Sequence, residues 1–76
     1  MITPQEIESL VLASLPGSKV CVEDSMGTGD HFEVTVESAA FAGKTLMEQH
    51  KIIYAILNRE MNDRIHALQL KTKILK

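Results

Sequence analysis

The sequence predicts an α+β domain in which two main helices cover one face of a three-stranded mixed sheet. Three observations carry that expectation. Apolar residues alternate with a period of two in three short stretches, at about 19–23, 31–37 and 65–73. Capping chemistry opens helices after Thr3 and Thr45. The longer helix falls between the second and third strands, where a parallel pairing needs its crossover.

The first helix starts at Thr3-Pro4-Gln5-Glu6. Thr3 caps it, Pro4 fits the first helical position, and Glu6 completes a capping box. Ile2 and Ile7 stand where a hydrophobic staple puts them. Ile7, Leu10, Val11 and Leu15 form one apolar face, and Pro16-Gly17 stops the helix, which places it at about 4–15. In the first strand Val20 and Val22 point one way, and Lys19, Cys21 and Glu23 the other. A polar, glycine-containing turn fills 24–30. The second strand puts Phe32, Val34 and Val36 on one face and His31, Glu33, Thr35 and Glu37 on the other. Two neighbouring alternating strands predict an antiparallel hairpin, and its loop exceeds the minimum, as functional loops often do.

Ser38 to Gly43 reads as one short helical turn closed by glycine. Thr45-Leu46-Met47-Glu48 is a second capping box and opens the main helix at about 46–61. Its apolar face comprises Leu46, Ile53, Leu57 and Met61, flanked by Met47, Ile52 and Ile56. His50 falls within that face, so it is expected to be packed and hydrogen-bonded. Asn62-Asp63 is expected to break the helix. The last strand sets Leu68 and Leu70 against Gln69 and Lys71. The order is helix, strand, strand, short helix, long helix, strand. The crossover returns the last strand parallel to the second, and Val20, Val22, Phe32, Val34, Val36, Leu68 and Leu70 form the covered face.

A chain of 76 residues fits one domain, spanning 1–76, with a small core. Hydrophobic content of 45% is too high for disorder. A single cysteine excludes an internal disulfide and suits a reducing compartment; Cys21 is expected to be a small hydrophobe or boundary side chain. The start of the chain shows no basic segment leading into an apolar run, so no signal peptide is expected. No apolar run nears the roughly 18 residues of a membrane span. The expected setting is cytoplasmic or an organelle matrix.

Net charge is −2, which gives no overall attraction to nucleic acid. The charge is unevenly distributed. Residues 1–43 hold one cation, Lys19, and seven anions; residues 44–76 hold seven cations and three anions. That asymmetry reads either as one basic surface or as attraction between two halves of one fold.

His31 opens the second strand and His66 the third, so a parallel pairing puts both towards one end of the sheet. Imidazole is a good ligand for iron, zinc or copper. Two histidines do not fill a coordination shell, and there is no second cysteine for a zinc site. A partner must supply the rest, and iron–sulfur chemistry allows this because histidine can replace thiolate on one iron. The plainer reading of each histidine alone is a boundary residue. No phosphate loop, acid–base pair or serine–histidine motif is present, so no enzyme is expected.

Gly29-Asp30-His31-Phe32, Phe41-Ala42-Gly43-Lys44-Thr45-Leu46, Gln49-His50-Lys51-Ile52-Ile53-Tyr54, Ile65-His66-Ala67-Leu68 and Lys71-Thr72 together resemble the BolA family in order and spacing, over about residues 3–72. The resemblance implies a fold similar to a class II KH domain. It also implies a partner, a monothiol glutaredoxin of the CGFS type, sharing a 2Fe–2S cluster. In such pairs the glutaredoxin cysteine and a glutathione thiol hold one side. The BolA-like chain gives the histidine of its Ile-His-Ala motif, here His66, and often a cysteine or histidine of the hairpin loop, here His31. Implied roles are iron–sulfur trafficking and iron or redox regulation. Family members often continue beyond Lys-Thr into a Thr-Pro segment and a final helix. This sequence reads Lys73-Ile74-Leu75-Lys76 at that point, a departure from the family pattern.

Nucleic-acid binding ranks second, because some BolA-like proteins are described as transcriptional regulators. Lys51, Arg59, Arg64, Lys71 and Lys73 favour it. Against it, KH domains clamp the backbone with a GXXG loop, and the corresponding connection from Phe41 to Thr45 has only Gly43. No aromatic stacking platform is evident. Whether the isolated chain forms a homodimer is left open.

Overall fold

A computed structural model describes residues 2–24, 27, 31–63 and 67–75, with the backbone alone at 59 and 61–63. Helix α1 covers Pro4–Ser14, strand β1 Lys19–Asp24, strand β2 His31–Ser38, a 3-10 turn Ala39–Phe41, helix α2 Leu46–Asp63 and strand β3 Ala67–Ile74. The predicted order is observed. β1 and β2 pair antiparallel, β2 and β3 pair parallel, and β2 is the central strand.

Local chemistry explains the helix starts. Thr3 is extended at the cap of α1, and the Glu6 amide donates to its Oγ1 at 3.1 Å. Ile2 and Ile7, before and after the cap, are both buried, as the staple requires. At α2 the box is reciprocal: the Thr45 amide donates to Glu48 Oε1 at 2.9 Å and the Glu48 amide to Thr45 Oγ1 at 3.2 Å. The Thr45 backbone N–H, then its hydroxyl, with Lys44 nearby, hold the exposed Glu48 carboxyl below the usual glutamate range. Gly43 follows the 3-10 turn at φ 77°, a conformation that a side chain would strain.

Alternation then builds the core. Phe32, Val34 and Val36 of β2 are buried in one cluster with Ile2, Ile7 and Val11 from the α1 region and Phe41, Ile53 and Leu57 from the 3-10 turn and α2. Val20, Val22, Leu68 and Leu70, on the two edge strands, are half-buried and pack against this cluster. The predicted covered face is therefore the observed one.

Four expectations need correction. Asn62 and Asp63 do not break α2; they form its last residues. Leu46 and Met47 are 61% and 70% exposed, because burial along α2 starts only at Gln49. Cys21 is exposed, not a boundary side chain. His50 is half-buried and meets Tyr54 edge-on at 6.5 Å between ring centroids, but its Nε2 is buried without a hydrogen-bond partner. The predicted apolar role of the Met61 side chain and the turn residues 25, 26 and 28–30 lie outside the described residues.

Candidate metal centre

The end of the sheet that carries His31 is set by strand register. His31 begins β2 and is half-buried. Its partner across the parallel ladder is Ala67, the first residue of β3. In sequence Ala67 directly follows His66, which lies outside the described residues, as do Arg64 and Lys76. The ladder continues through Glu33 opposite Gln69, Thr35 opposite Lys71 and Glu37 opposite Lys73.

These residues stand on the face that no helix covers, because side chains alternate along a strand. β1 adds Glu23 beside Glu33, Cys21 beside Thr35 and Lys19 beside Glu37. The face is thus polar throughout and graded in charge. Glu23 and Glu33 lie towards the His31 end, while Lys19, Lys71 and Lys73 lie towards the other, with Glu37 between two lysines. Part of the charge asymmetry between the two halves of the sequence is accounted for here: an anion of the first half sits beside a cation of the second.

On the open face the described residues of metal-binding type are His31, Cys21 and the carboxylates Glu23, Glu33 and Glu37. Imidazole is a competent borderline ligand at the start of β2. Among the described residues no group of three or more His, Cys, Asp or Glu side chains could hold an ion. Cys21 does not join His31: its row, at Thr35, is four residues along β2, or roughly 13 Å.

The basic candidates do not form one patch. Lys71 and Lys73 are exposed on the open sheet face. Lys51 is exposed on the side of α2 opposite its buried residues Gln49, Ile53 and Leu57, and so faces away from the sheet. The Arg59 side chain is outside the described residues.

Gln49 is a structural residue that reading the sequence missed. It is 7% exposed. Its Nε2 donates to the Lys44 carbonyl at 3.0 Å, and its Oε1 accepts from Thr72 Oγ1 at 2.7 Å. The bond ties the start of α2 to β3, the strand that follows His66. The local signal was its spacing of four from Ile53 and eight from Leu57; the partner, 23 residues away, carried no signal at all.

Comparison with known proteins agrees with this architecture. The family model for BolA-like proteins matches residues 15–76. The chain is 39% identical over 72 residues to the protein BOLA2 of Arabidopsis thaliana, covering 93% of this chain and 76% of that one. It is 36% identical over 50 residues to the DNA-binding transcriptional regulator BolA of Escherichia coli, covering 66% and 48% respectively. The solved BolA homologue from Coxiella burnetii superimposes with a TM-score of 0.81 at 36% identity, covering 97% of this chain and 92% of that one.

Proposed function

This chain belongs to the BolA-like protein family, and on that premise we propose that it partners a monothiol CGFS glutaredoxin, sharing a 2Fe–2S cluster for iron–sulfur trafficking or iron and redox regulation. The observation that carries the reading is the parallel register that sets His31 opposite Ala67, the residue after His66. His31 and His66 are the chain's own ligands in this reading. The glutaredoxin cysteine and glutathione complete the shell. When bound, the cluster supplies a one-electron redox centre and a transferable iron–sulfur unit. The chain's residues supply neutral imidazole nitrogens; protonating them removes the lone pair that binds iron, so assembly weakens in acid. No catalytic role is assigned to any residue.

The test mixes this protein with cluster-loaded CGFS glutaredoxin and glutathione and follows visible absorption and circular dichroism. The wild type changes both. His66→Ala abolishes the histidine-dependent change and His31→Ala weakens it. Wild-type spectra from both variants contradict the ligand assignment.

A second reading, nucleic-acid binding in transcription regulation, is favoured by the name of the Escherichia coli relative and by exposed Lys71 and Lys73 on the open face. Glu37, paired with Lys73, weakens it. A salt titration of binding to duplex DNA decides: phosphate contacts give an affinity that falls steeply with salt, and no binding at low salt removes the reading.

A further inference from the structure

β1 is an edge strand. β2 lies on one side of it, and among the described residues no strand pairs with its other side. Such an edge presents unpaired N–H and C=O groups to any complementary strand. Its sequence, Lys19-Val20-Cys21-Val22-Glu23, is symmetric in hydropathy about Cys21 and opposite in charge at its two ends.

We propose that the β1 edge docks a second copy of this chain, the two β1 strands running antiparallel about a two-fold axis at Cys21. In this register Lys19 faces Glu23 of the second copy, Val20 faces Val22, and Cys21 faces Cys21. Directly opposite residues in an antiparallel pair point to the same side. Both helical layers therefore fall on one side of a continuous sheet. Val20 and Val22, half-buried where Val34 and Val36 of the central strand are buried, gain an apolar neighbour. A slip of one residue sets Val20 against Glu23 and inverts one copy's layers. The other edge, β3, does not offer the same match. It exposes Lys71 and Lys73 with no anion on its own strand, so a second β3 meets like charge. The His31 row is four residues along β2 from the row of Cys21, so pairing leaves that end of the sheet accessible. A ribbon this short buries less than the roughly 1,000 Å² of a stable interface, so the pair is weak and depends on concentration.

Sedimentation equilibrium of the full chain, reduced, over a concentration series at low salt reads the association. Diamide oxidation reads the axis: two thiols lose two protons and two electrons to one diazene, and Cys21, the only cysteine, can link only to itself. The wild type associates and links. Glu23→Lys turns two symmetry-related attractions into repulsions and lowers association about tenfold. It also sets opposite charge against Glu33 within the chain, so the fold is not weakened. The swap Lys19→Glu with Glu23→Lys, made together with Glu37→Gln so that no like charges meet within the chain, restores association. The pair Cys21→Ser with Thr35→Cys, which moves the thiol one strand inward on the open face, links poorly. No association up to millimolar concentration, an unchanged Glu23→Lys variant, a swap that fails to restore, or efficient linking through the inward thiol each overturns the proposal. The last would mean that open faces meet, not edges.

Discussion

The two faces of β2 differ in almost every property while sharing one backbone. Phe32, Val34 and Val36 are buried under the helices, and they hold the core together. His31, Glu33, Thr35 and Glu37 alternate with them on the face away from the helices. One strand thus divides the buried core from the uncovered face, residue by residue. Substitutions on the open side are expected to have little effect on whether the chain folds.

Phe32→Ala gives the largest expected effect. Emptying a fully buried aromatic site costs about 3–5 kcal/mol of stability by chemical denaturation. Its neighbour Glu33→Ala stays within about 0.5 kcal/mol. Similar losses at both positions would erase the distinction between the faces. Next comes the polar tie across the covered layer. Thr72→Val leaves the buried Gln49 Oε1 without its donor and costs about 1–3 kcal/mol. A loss equal to that of an exposed β3 position would mean the tie carries no stability.

The smallest effect lies at the start of α2, where burial has not yet begun. Thr45→Ala removes a cap and costs about 1 kcal/mol. The same change has an acid signature. The folded Glu48 carboxyl titrates below its unfolded range, so its stabilising contribution is present above the unfolded pKa and is lost as pH falls through the folded one. In Thr45→Ala the hydroxyl is lost but the backbone N–H that donates to Glu48 remains, so the Glu48 titration, followed by NMR, moves only part of the way up. An unmoved titration would show that the Thr45 hydroxyl does not help to hold it down.

Capping and strand alternation were legible locally, while the local breaker Asn62-Asp63 was overridden by the continuation of α2. Thr3, Thr45 and Glu48 announced helix starts by side-chain chemistry within one turn. Alternation in β1 and β2 gave both faces, and the helix between β2 and β3 gave the parallel pairing. What failed was geometry that depends on where another element ends. Leu46 and Met47 fit an apolar helical face by spacing, yet that face has nothing to pack on before Gln49. Gln49 reads as a break in the pattern until Thr72 supplies its partner. Of the proposed ligands, His31 was placed at the head of β2 by its strand pattern. The role of His66 came from family resemblance, because one imidazole before a strand has no spacing that distinguishes a ligand from a boundary residue.

The ligand proposal has a direct test in the nuclear spins of the imidazoles. The chain is labelled with ¹⁵N only at histidine and assembled with unlabelled glutaredoxin, glutathione and cluster, and the reduced cluster is examined by pulsed electron paramagnetic resonance. The wild type is expected to show coupling to ¹⁵N that diminishes in His31→Ala, diminishes further in His66→Ala and vanishes in the double variant. Undiminished ¹⁵N coupling in the double variant, which would assign it to His50, or none in the wild type, would contradict cluster sharing through these two residues.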